Sequence, residues 1–308
     1  MKKFLIAVML FASAAANAAF FDMGQGARPA GMGEAFVGVA DDVNALYYNV
    51  AGLTRIKMIS TTATYTGYMA GLGDSFIGVA VPMNKMGAFG VSWLNTSVGS
   101  VYSENTVKLG YAYDLDNMIT AGAAIKYMSK TYSAADAVSA TNPIFANPTA
   151  AALGLDLGVM IKLTGEFSAG VQLENVNSPD ISLASSDIVP FVLRAGAGYK
   201  VTKNLLTALE IDYRDPDLKA KVGAEYWLDS KFMEALNITN SEIGFRAGFG
   251  YGTNSFMNAN IGFSFFLPAK YVDIRFDYSF SLPMGYYDGA ATHRFSICIN
   301  EPRPAFSL

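Results

Sequence analysis

Residues 205–229 read LLTALEIDYRDPDLKAKVGAEYWLD, and this stretch decides the fold. Apolar and polar residues alternate on either side of Asp215-Pro216-Asp217, and a period of two predicts β-strands that join at a turn. The two faces of the first strand carry Leu205, Thr207, Leu209, Ile211 and Tyr213 on one side, and Leu206, Ala208, Glu210, Asp212 and Arg214 on the other. The second strand sets Leu218, Ala220, Val222, Ala224 and Tyr226 against Lys219, Lys221, Gly223, Glu225 and Trp227. The stretch is therefore predicted to be a hairpin with one apolar and one polar face.

The same alternation fills most of residues 56–300, and it is clearest at 242–251 and 271–280. The predicted strands, at about 10–13 residues, are longer than the average strand of about 5–6 and long enough to cross a membrane, which takes about 9–11. Their polar faces place charges of both signs beside glycines, which favours a confined lumen. A soluble antiparallel sheet with one wet face is the alternative, because it alternates in the same way. We predict an all-β protein that forms a transmembrane antiparallel β-barrel.

The turn signals divide the chain into about fourteen strands, an even number, as in bacterial single-chain barrels. The predicted spans are 57–69, 74–82, 86–97, 104–114, 118–130, 151–163, 166–175, 189–201, 204–214, 218–229, 241–251, 255–267, 270–282 and 291–300. The long connections 130–150, 175–188 and 282–290 are predicted to be outer loops, and the short turns 82–85, 114–117, 164–165, 202–203 and 268–269 to be periplasmic. The connection 229–240 is long for a periplasmic turn, and it is predicted to contain a short helix at 231–236 and to offer a contact for a partner.

The amino-terminal residues have the pattern of an export signal. Lys2 and Lys3 precede an apolar run over 4–12, and small residues lead to Ala16-Asn17-Ala18. A charged start, a short apolar run and an A-x-A site are typical of a secretory signal peptide. An uncleaved membrane anchor is the alternative, but the run is shorter than the roughly 20 residues that a spanning helix needs. We expect cleavage after Ala18 and residence in the bacterial outer membrane, in contact with its lipid.

The composition argues against catalysis, metal binding and nucleic-acid binding. The formal net charge is only −4, and the 308 residues include one Cys and one His. A single Cys excludes a disulfide framework and sites with several Cys ligands. His293 falls on the outward face of the last strand, without the oriented acid and nucleophile that a catalytic His requires. No enzyme activity and no cofactor are therefore expected.

The inward faces of the C-terminal strands are predicted to form a lumenal ladder of charges. Its members are Glu210, Asp212, Arg214, Lys219, Lys221, Glu225, Arg246, Asp273, Arg275, Asp277 and Arg294. A four-residue loop at 215–218 would place Arg214 opposite Lys219 and Asp212 opposite Lys221. Opposite charges across neighbouring strands contribute roughly 0.2–1 kcal/mol each. The ladder is expected mainly to stabilise the barrel, and otherwise to bind a ligand or the N-terminal residues.

Residues 19–55 differ from the rest of the chain because they are rich in Gly and Ala. Residues 26–53 read GARPAGMGEAFVGVADDVNALYYNVAGL, which resembles the N-terminal signature of the PorV/PorQ family of outer-membrane proteins, within the FadL-like superfamily. The matching positions are Arg28, Met32, Gly33, Asp41, Asp42, Asn49, Gly52 and Leu53, and Val50 stands where the family usually has Pro. Further segments that resemble the family lie at 190–196, 222–226, 245–248, 277–278 and 293–296.

The export signal gives a signal peptide (1–18), and the resemblance implies a lumenal hatch (19–55) followed by a fourteen-stranded barrel (56–308). Arg28, Asp41 and Asp42 are then expected to meet lumenal charges. The resemblance also implies one of two roles: binding or transport of hydrophobic compounds, as in FadL relatives, or service as a component of type IX secretion. A barrel that docks secretion proteins without conducting is the alternative. The expected partners are hydrophobic small molecules or proteins of a secretion system.

Overall fold

The computed structural model describes residues 20, 23–68, 71–134, 148–183, 186–228, 230–235, 241–269, 272–285 and 291–300. The predicted signal peptide with its cleavage site after Ala18 lies outside the described residues. So do 301–308, most of the predicted 130–150 loop, half of the 229–240 connection and Tyr271.

The described residues form a closed barrel of fourteen antiparallel strands, in which each strand pairs with its neighbours in sequence and β1 pairs with β14. This confirms the predicted fold. The strands are β1 (Ser60–Gly67), β2 (Leu72–Pro82), β3 (Ala88–Val98), β4 (Tyr102–Asp114), β5 (Ile119–Tyr132), β6 (Thr149–Lys162), β7 (Phe167–Glu174), β8 (Val192–Lys200), β9 (Leu205–Arg214), β10 (Asp217–Trp227), β11 (Glu242–Gly252), β12 (Met257–Leu267), β13 (Ile274–Pro283) and β14 (Thr292–Ile299).

The two faces of each strand differ sharply in exposure. On β9, Leu209 is 58% exposed and Ile211 is 53% exposed, whereas Glu210 between them is 1% exposed. Large apolar side chains cover the outside of the wall and charged ones line the inside, which is the arrangement of a barrel that faces lipid. The chain is therefore a membrane protein. Among the described helices, we find none with the length and apolar character that crossing a membrane requires.

The barrel has two distinct ends. At the near end, where β1 begins and β14 ends, the connection after β10 contains a short helix, α3 (Ser230–Ala235), which lies close to its predicted position. At the far end, the residues between β7 and β8 fold over the mouth. Ile181 and Val189 from this connection are buried against Met128 and Ala150 of the wall. An apolar cap therefore covers part of the far mouth.

The β9–β10 hairpin has a different register from the one predicted. Asp217 lies opposite Arg214, Lys219 opposite Asp212 and Lys221 opposite Glu210. The predicted pairs Arg214–Lys219 and Asp212–Lys221 are wrong, because Asp215 and Pro216 alone form the connection instead of a four-residue loop. The shift is by two residues, so every side chain keeps its predicted face.

The facing of β9 predicts the effect of a charge on the outer wall. Leu209 lies near the middle of the strand and faces the lipid, where an Arg costs about 2–4 kcal/mol at the bilayer midplane. We expect Leu209→Arg to lower the free energy of unfolding in lipid vesicles by that amount, measured by urea titration. Leu209→Ile is the control and should change it little. Equal stability of the two variants would contradict the assignment of this face to lipid.

Candidate functional site

The lumen is occupied by an N-terminal segment, defined here as residues 23–56. It contains helix α1 (Ala27–Gly31), helix α2 (Ala45–Tyr48) and a 3₁₀ helix (Val50–Arg55). From Gly24 to Ile56 every residue is buried except four that are half-buried, namely Glu34, Asp41, Tyr47 and Arg55. Helix α1 packs against β11–β14, and the 3₁₀ helix packs against β2–β6. The segment therefore joins opposite walls of the barrel.

The segment runs along the lumen from the far end to the near end. Preceding it in sequence, Phe20 lies at the far end, where its backbone N–H donates to Glu104 Oε1 at 2.8 Å and its carbonyl lies 3.5 Å from Arg214 Nη1. At the other extreme, Ile56 leads directly into β1 at the near end. The segment therefore crosses the full depth of the lumen before the first strand begins.

Glycines on the wall let the backbone of the segment lie against the strands. A Cβ atom on Gly223 of β10 would lie 2.1 Å from the carbonyl oxygen of Met32, and one on Gly248 of β11 would lie 2.1 Å from the Gly33 nitrogen. Gly33 itself has a φ of 65°, a conformation that favours glycine. Backbone therefore meets backbone at this contact, with no space for a side chain or for water between them.

Arg28 is the main electrostatic link between the segment and the wall. Its Nε and Nη2 donate to the two carboxylate oxygens of Glu225 at 2.8 and 3.1 Å, and its Nη1 donates to Asp41 at 2.6 Å and Asp42 at 2.8 Å. Burial acts to lower the pKa of Arg28, but the carboxylates of Asp41, Glu225 and Asp42 outweigh burial and hold the pKa well above its ordinary value. The guanidinium is therefore permanently charged, and it donates hydrogen bonds to three carboxylates.

Two wall arginines extend this link into a network. Arg246 Nε donates to Glu225 at 2.6 Å, and Arg275 binds Asp42 at 3.2 Å and Asp277 at 2.9 Å. The side chains of this network, apart from the half-buried Asp41, are nearly inaccessible to solvent. Buried ions are tolerated only when they are paired and hydrogen-bonded, so these contacts depend on one another.

A second polar contact lies on β9 and β10. Glu210 accepts the backbone N–H groups of Phe36 and Val37 at 2.9 and 2.8 Å. Lys221 lies 3.4 Å from Glu210, 3.1 Å from Asp212 and 3.6 Å from Glu34 of the segment. Charged side chains of the wall therefore bind both the backbone N–H groups of the segment and the carboxylate of Glu34.

Asn49 and Val50 show how the segment turns before β1. Asn49 Oδ1 accepts from Ala51 N at 3.2 Å, and its Nδ2 donates to the carbonyls of Val37 and Val159, each at 3.1 Å. Asn49 is extended, with φ −160° and ψ 105°, although no proline follows it. The Val50 N–H donates to Gln172 at 3.3 Å, a bond that proline could not make. Val at this position therefore preserves the turn and adds a link to β7.

The other positions of the N-terminal motif are close-packed. A Cβ atom on Gly52 would lie 2.0 Å from the carbonyl oxygen of Ala40. Leu53 is fully buried in an apolar cluster that also contains Leu46 and Val50. These residues are placed for packing within the lumen rather than for contact with solvent.

Three of the residues predicted for the lumenal ladder lie elsewhere. Arg214 and Lys219 are half-buried at the far rim, where Lys219 lies 4.7 Å from the Phe256 ring centroid. Asp273 precedes β13, where its side chain accepts the Ala269 N–H at 3.1 Å in the near-end turn, so its placement on the ladder is wrong. The remaining members are buried in the lumen, namely Glu210, Asp212, Lys221, Glu225, Arg246, Arg275, Asp277 and Arg294.

A further set of lumenal charges was missed from the sequence. Lys108 and Lys126 both bind Asp156, at 2.7 and 2.9 Å, and Arg194 binds Glu174 at 2.7 Å. All of these residues lie on β4–β8, and the alternation of those strands would have placed them on the inner face. They lie on the inner face of β4–β8, whereas Glu225 lies on β10.

The described part of the lumen contains a small cavity that is partly lined by charged residues. A cavity of about 80 Å³ lies between the N-terminal segment and the far-end cap. Its polar lining includes Gln25, Asp74, Glu104, Lys108, Lys126 and Glu174. Within the described part of the chain, no group of three potential metal ligands comes together.

The Arg28 network predicts that removing the negative charge of Glu225 strongly lowers the stability of the barrel. Glu225→Gln leaves Arg28 and Arg246 without their shared carboxylate, and breaking a buried ion pair costs about 3–5 kcal/mol. We expect a loss of about 3 kcal/mol in the free energy of unfolding in lipid vesicles, near the lower limit, because Asp41, Asp42 and Asp277 remain. The exposed Glu234→Gln is the matched control. A loss no greater than that of the control would show that the network does not stabilise the barrel.

Comparison with solved structures shows the fold of FadL-like barrels. The CymD monoaromatic hydrocarbon channel is 11% identical, with a TM-score of 0.62 over 91% of this chain and 97% of that chain. The Pseudomonas putida toluene transporter TodX is 13% identical, with a TM-score of 0.61 over 91% and 98%. A Pseudomonas aeruginosa FadL homologue is 13% identical, with a TM-score of 0.57 over 88% and 97%. At these identities the likeness concerns architecture alone.

Comparison by sequence gives the family. No curated protein is significantly similar to the chain. The family model for type IX secretion system membrane proteins PorP/SprF matches residues 47–299, which comprise all fourteen strands and the last part of the N-terminal segment. The chain therefore belongs to the PorP/SprF family of type IX secretion system membrane proteins.

Proposed function

We propose that this protein is a closed outer-membrane barrel that serves type IX secretion by docking other secretion proteins, without conducting solutes through its lumen. The observation that carries the proposal is the filling of the lumen by the N-terminal segment, which acts as a hatch. The family consists of membrane proteins of a secretion system, and the chain is not an enzyme.

The nature of the remaining cavity supports docking over transport. The FadL-like neighbours are described as a hydrocarbon channel and a toluene transporter. A passage for such compounds requires apolar walls, because an apolar solute cannot replace the hydrogen bonds of buried charges. Here the cavity of about 80 Å³ is bordered by Asp74, Glu104, Lys108 and Lys126. Passage of hydrophobic compounds through this lumen is therefore the less favoured role.

The connections suggest how the barrel is oriented. Three of the four longest connections, those between β5 and β6, β7 and β8, and β13 and β14, lie at the far end, and long connections are typical of the outer side. The exception at the near end is the connection that contains α3, where Met233 is 2% exposed and Phe232 is 53% exposed. An anchored helix with an exposed aromatic ring is a suitable contact for a periplasmic partner.

Residues 26–53 resemble the N-terminal signature of the PorV/PorQ family. We therefore also propose that this family has the same lumenal hatch.

Conductance tests whether the N-terminal segment closes the lumen. Gly223→Leu would place a side chain where Met32 lies, and it should displace the segment and raise single-channel conductance in a planar bilayer. Val222→Leu, on the outward face of the same strand, is the matched control. The wild type and the control should conduct little. Equal conductance of wild type and Gly223→Leu, with both proteins folded, would contradict closure by the segment.

A locked barrel tests whether secretion needs the lumen to open. The Ala27 nitrogen and Ser296 Oγ lie 2.9 Å apart, so Ala27→Cys and Ser296→Cys in a Cys298→Ser background should link the segment to β14. We expect the oxidised variant to restore secretion of type IX cargo in a strain that lacks the native protein. The reduced variant is the control. Secretion that fails only in the oxidised form would favour passage through the lumen over docking.

A further inference from the structure

The outer wall of the barrel carries a groove where its first and last strands meet. The groove has a volume of about 590 Å³ and is lined by residues of β12, β13, β14, β1 and β2. Aromatic side chains flank it on the β12–β14 side, namely Phe263, Phe276, Tyr278 and Phe295. The Tyr278 and Phe295 ring centroids are 5.0 Å apart, so these rings form a continuous apolar bank.

Small residues form the floor of the groove. Ala63 of β1 lies between Ile297 of β14 and Ile77 of β2, and Ser75 of β2 lies opposite Tyr65 of β1. Successive side chains of a strand point to opposite faces, so Ala63 and Ser75 share the outward face with these larger neighbours. Because their side chains project less than an aromatic ring or an isoleucine, the wall is recessed at this point.

The size and lining of the groove suit an alkyl chain. Ligand pockets typically measure about 300–1,000 Å³ and are lined mainly by apolar and aromatic side chains. A chain that lies in a recess contacts side chains beneath it and on its flanks, and therefore gains more dispersion attraction than a chain on a convex wall. This face of the barrel is in contact with the bilayer, so lipid acyl chains are the molecules that reach the groove.

A polar pair lies beside the groove, toward the far end. The Tyr278 hydroxyl and His293 Nδ1 are 2.8 Å apart. His293 is the second residue of β14, and it lies two residues, roughly 7 Å, before Phe295 on the same face. When Tyr278 donates to Nδ1, the ring proton of His293 is on Nε2, which then donates to an oxygen outside the protein. Such a donor at the rim of the wall suits the phosphate of a lipid headgroup.

We propose that this groove binds one acyl chain of a phospholipid, whose phosphate is held by His293 with the support of Tyr278. The bound lipid differs from those around the rest of the wall because it contacts the protein on several sides and at its headgroup. The site lies on the outer wall, so it is independent of the docking role and of closure of the lumen.

Native mass spectrometry of the purified barrel with added phosphatidylglycerol tests the proposal. The wild type should retain one lipid in a saturable manner. Ala63→Trp should weaken retention by about tenfold or more, because the indole fills the recess and displaces several methylene groups of the chain. Ala123→Trp is the matched control, since Ala123 faces outward on β5, and it should retain the lipid as the wild type does. If Ala63→Trp does not assemble, Ser75→Leu fills the same recess.

The headgroup contact is tested in the same measurement. His293→Phe keeps an aromatic ring but removes the donor, and it should weaken phosphatidylglycerol retention by about tenfold. The corresponding diacylglycerol, which has no phosphate, should be retained less well than phosphatidylglycerol by the wild type. Equal retention by Ala63→Trp and Ala123→Trp, or of the two lipids by the wild type, would overturn the proposal. A lipid-free dimer would also overturn it, because a second copy of the chain would then occupy the groove.

Discussion

The ion pair between Arg28 and Glu225 is the interaction on which the interior of this barrel depends. It links residues that are 197 positions apart, and both side chains are buried between the segment and the wall. Exclusion of water strengthens the attraction between charges but also makes each unpaired charge costly. The close backbone contacts at Gly223 and Gly248 and the ion pairs are therefore coupled, because the contacts help to bury these charges and the ion pairs make their burial tolerable.

The fold was predictable because the bilayer imposes a simple rule on every strand. A wall one strand thick has lipid on one side and lumen on the other, so alternation alone assigns the face of Leu209 and of Glu210. Details that do not depend on whether a side chain faces lipid or lumen were not predictable. The register of β9 and β10 was off by two residues, because both a two-residue and a four-residue turn at Asp215-Pro216-Asp217 keep the faces correct. Asp273 was misplaced because it lies before β13, in the near-end turn, where its side chain accepts the Ala269 N–H.

The candidate site was predictable only in part. Alternation places Glu225, Arg246 and Asp277 on the inner wall, but it cannot state which charge meets which across the lumen. Lys108, Lys126 and Asp156 follow the same alternation, so their place on the inner wall was predictable, but their shared ion pairs were not. Conversely, Val50 departs from the usual motif, and only the contact of its N–H with Gln172 shows why the turn survives the change.

The path of the N-terminal segment has a consequence for the order of assembly. Helix α1 touches the last four strands and the 3₁₀ helix touches β2–β6, so the segment bridges the seam where β1 and β14 join. If the barrel closed first, this segment would have to enter through one end of the finished barrel, and its charged groups would pass along the lumen before they reached their partners. Closure around a segment that is already in place avoids that barrier. The segment is then an internal template, whose bulk limits how tightly the sheet can curl before its first and last strands meet.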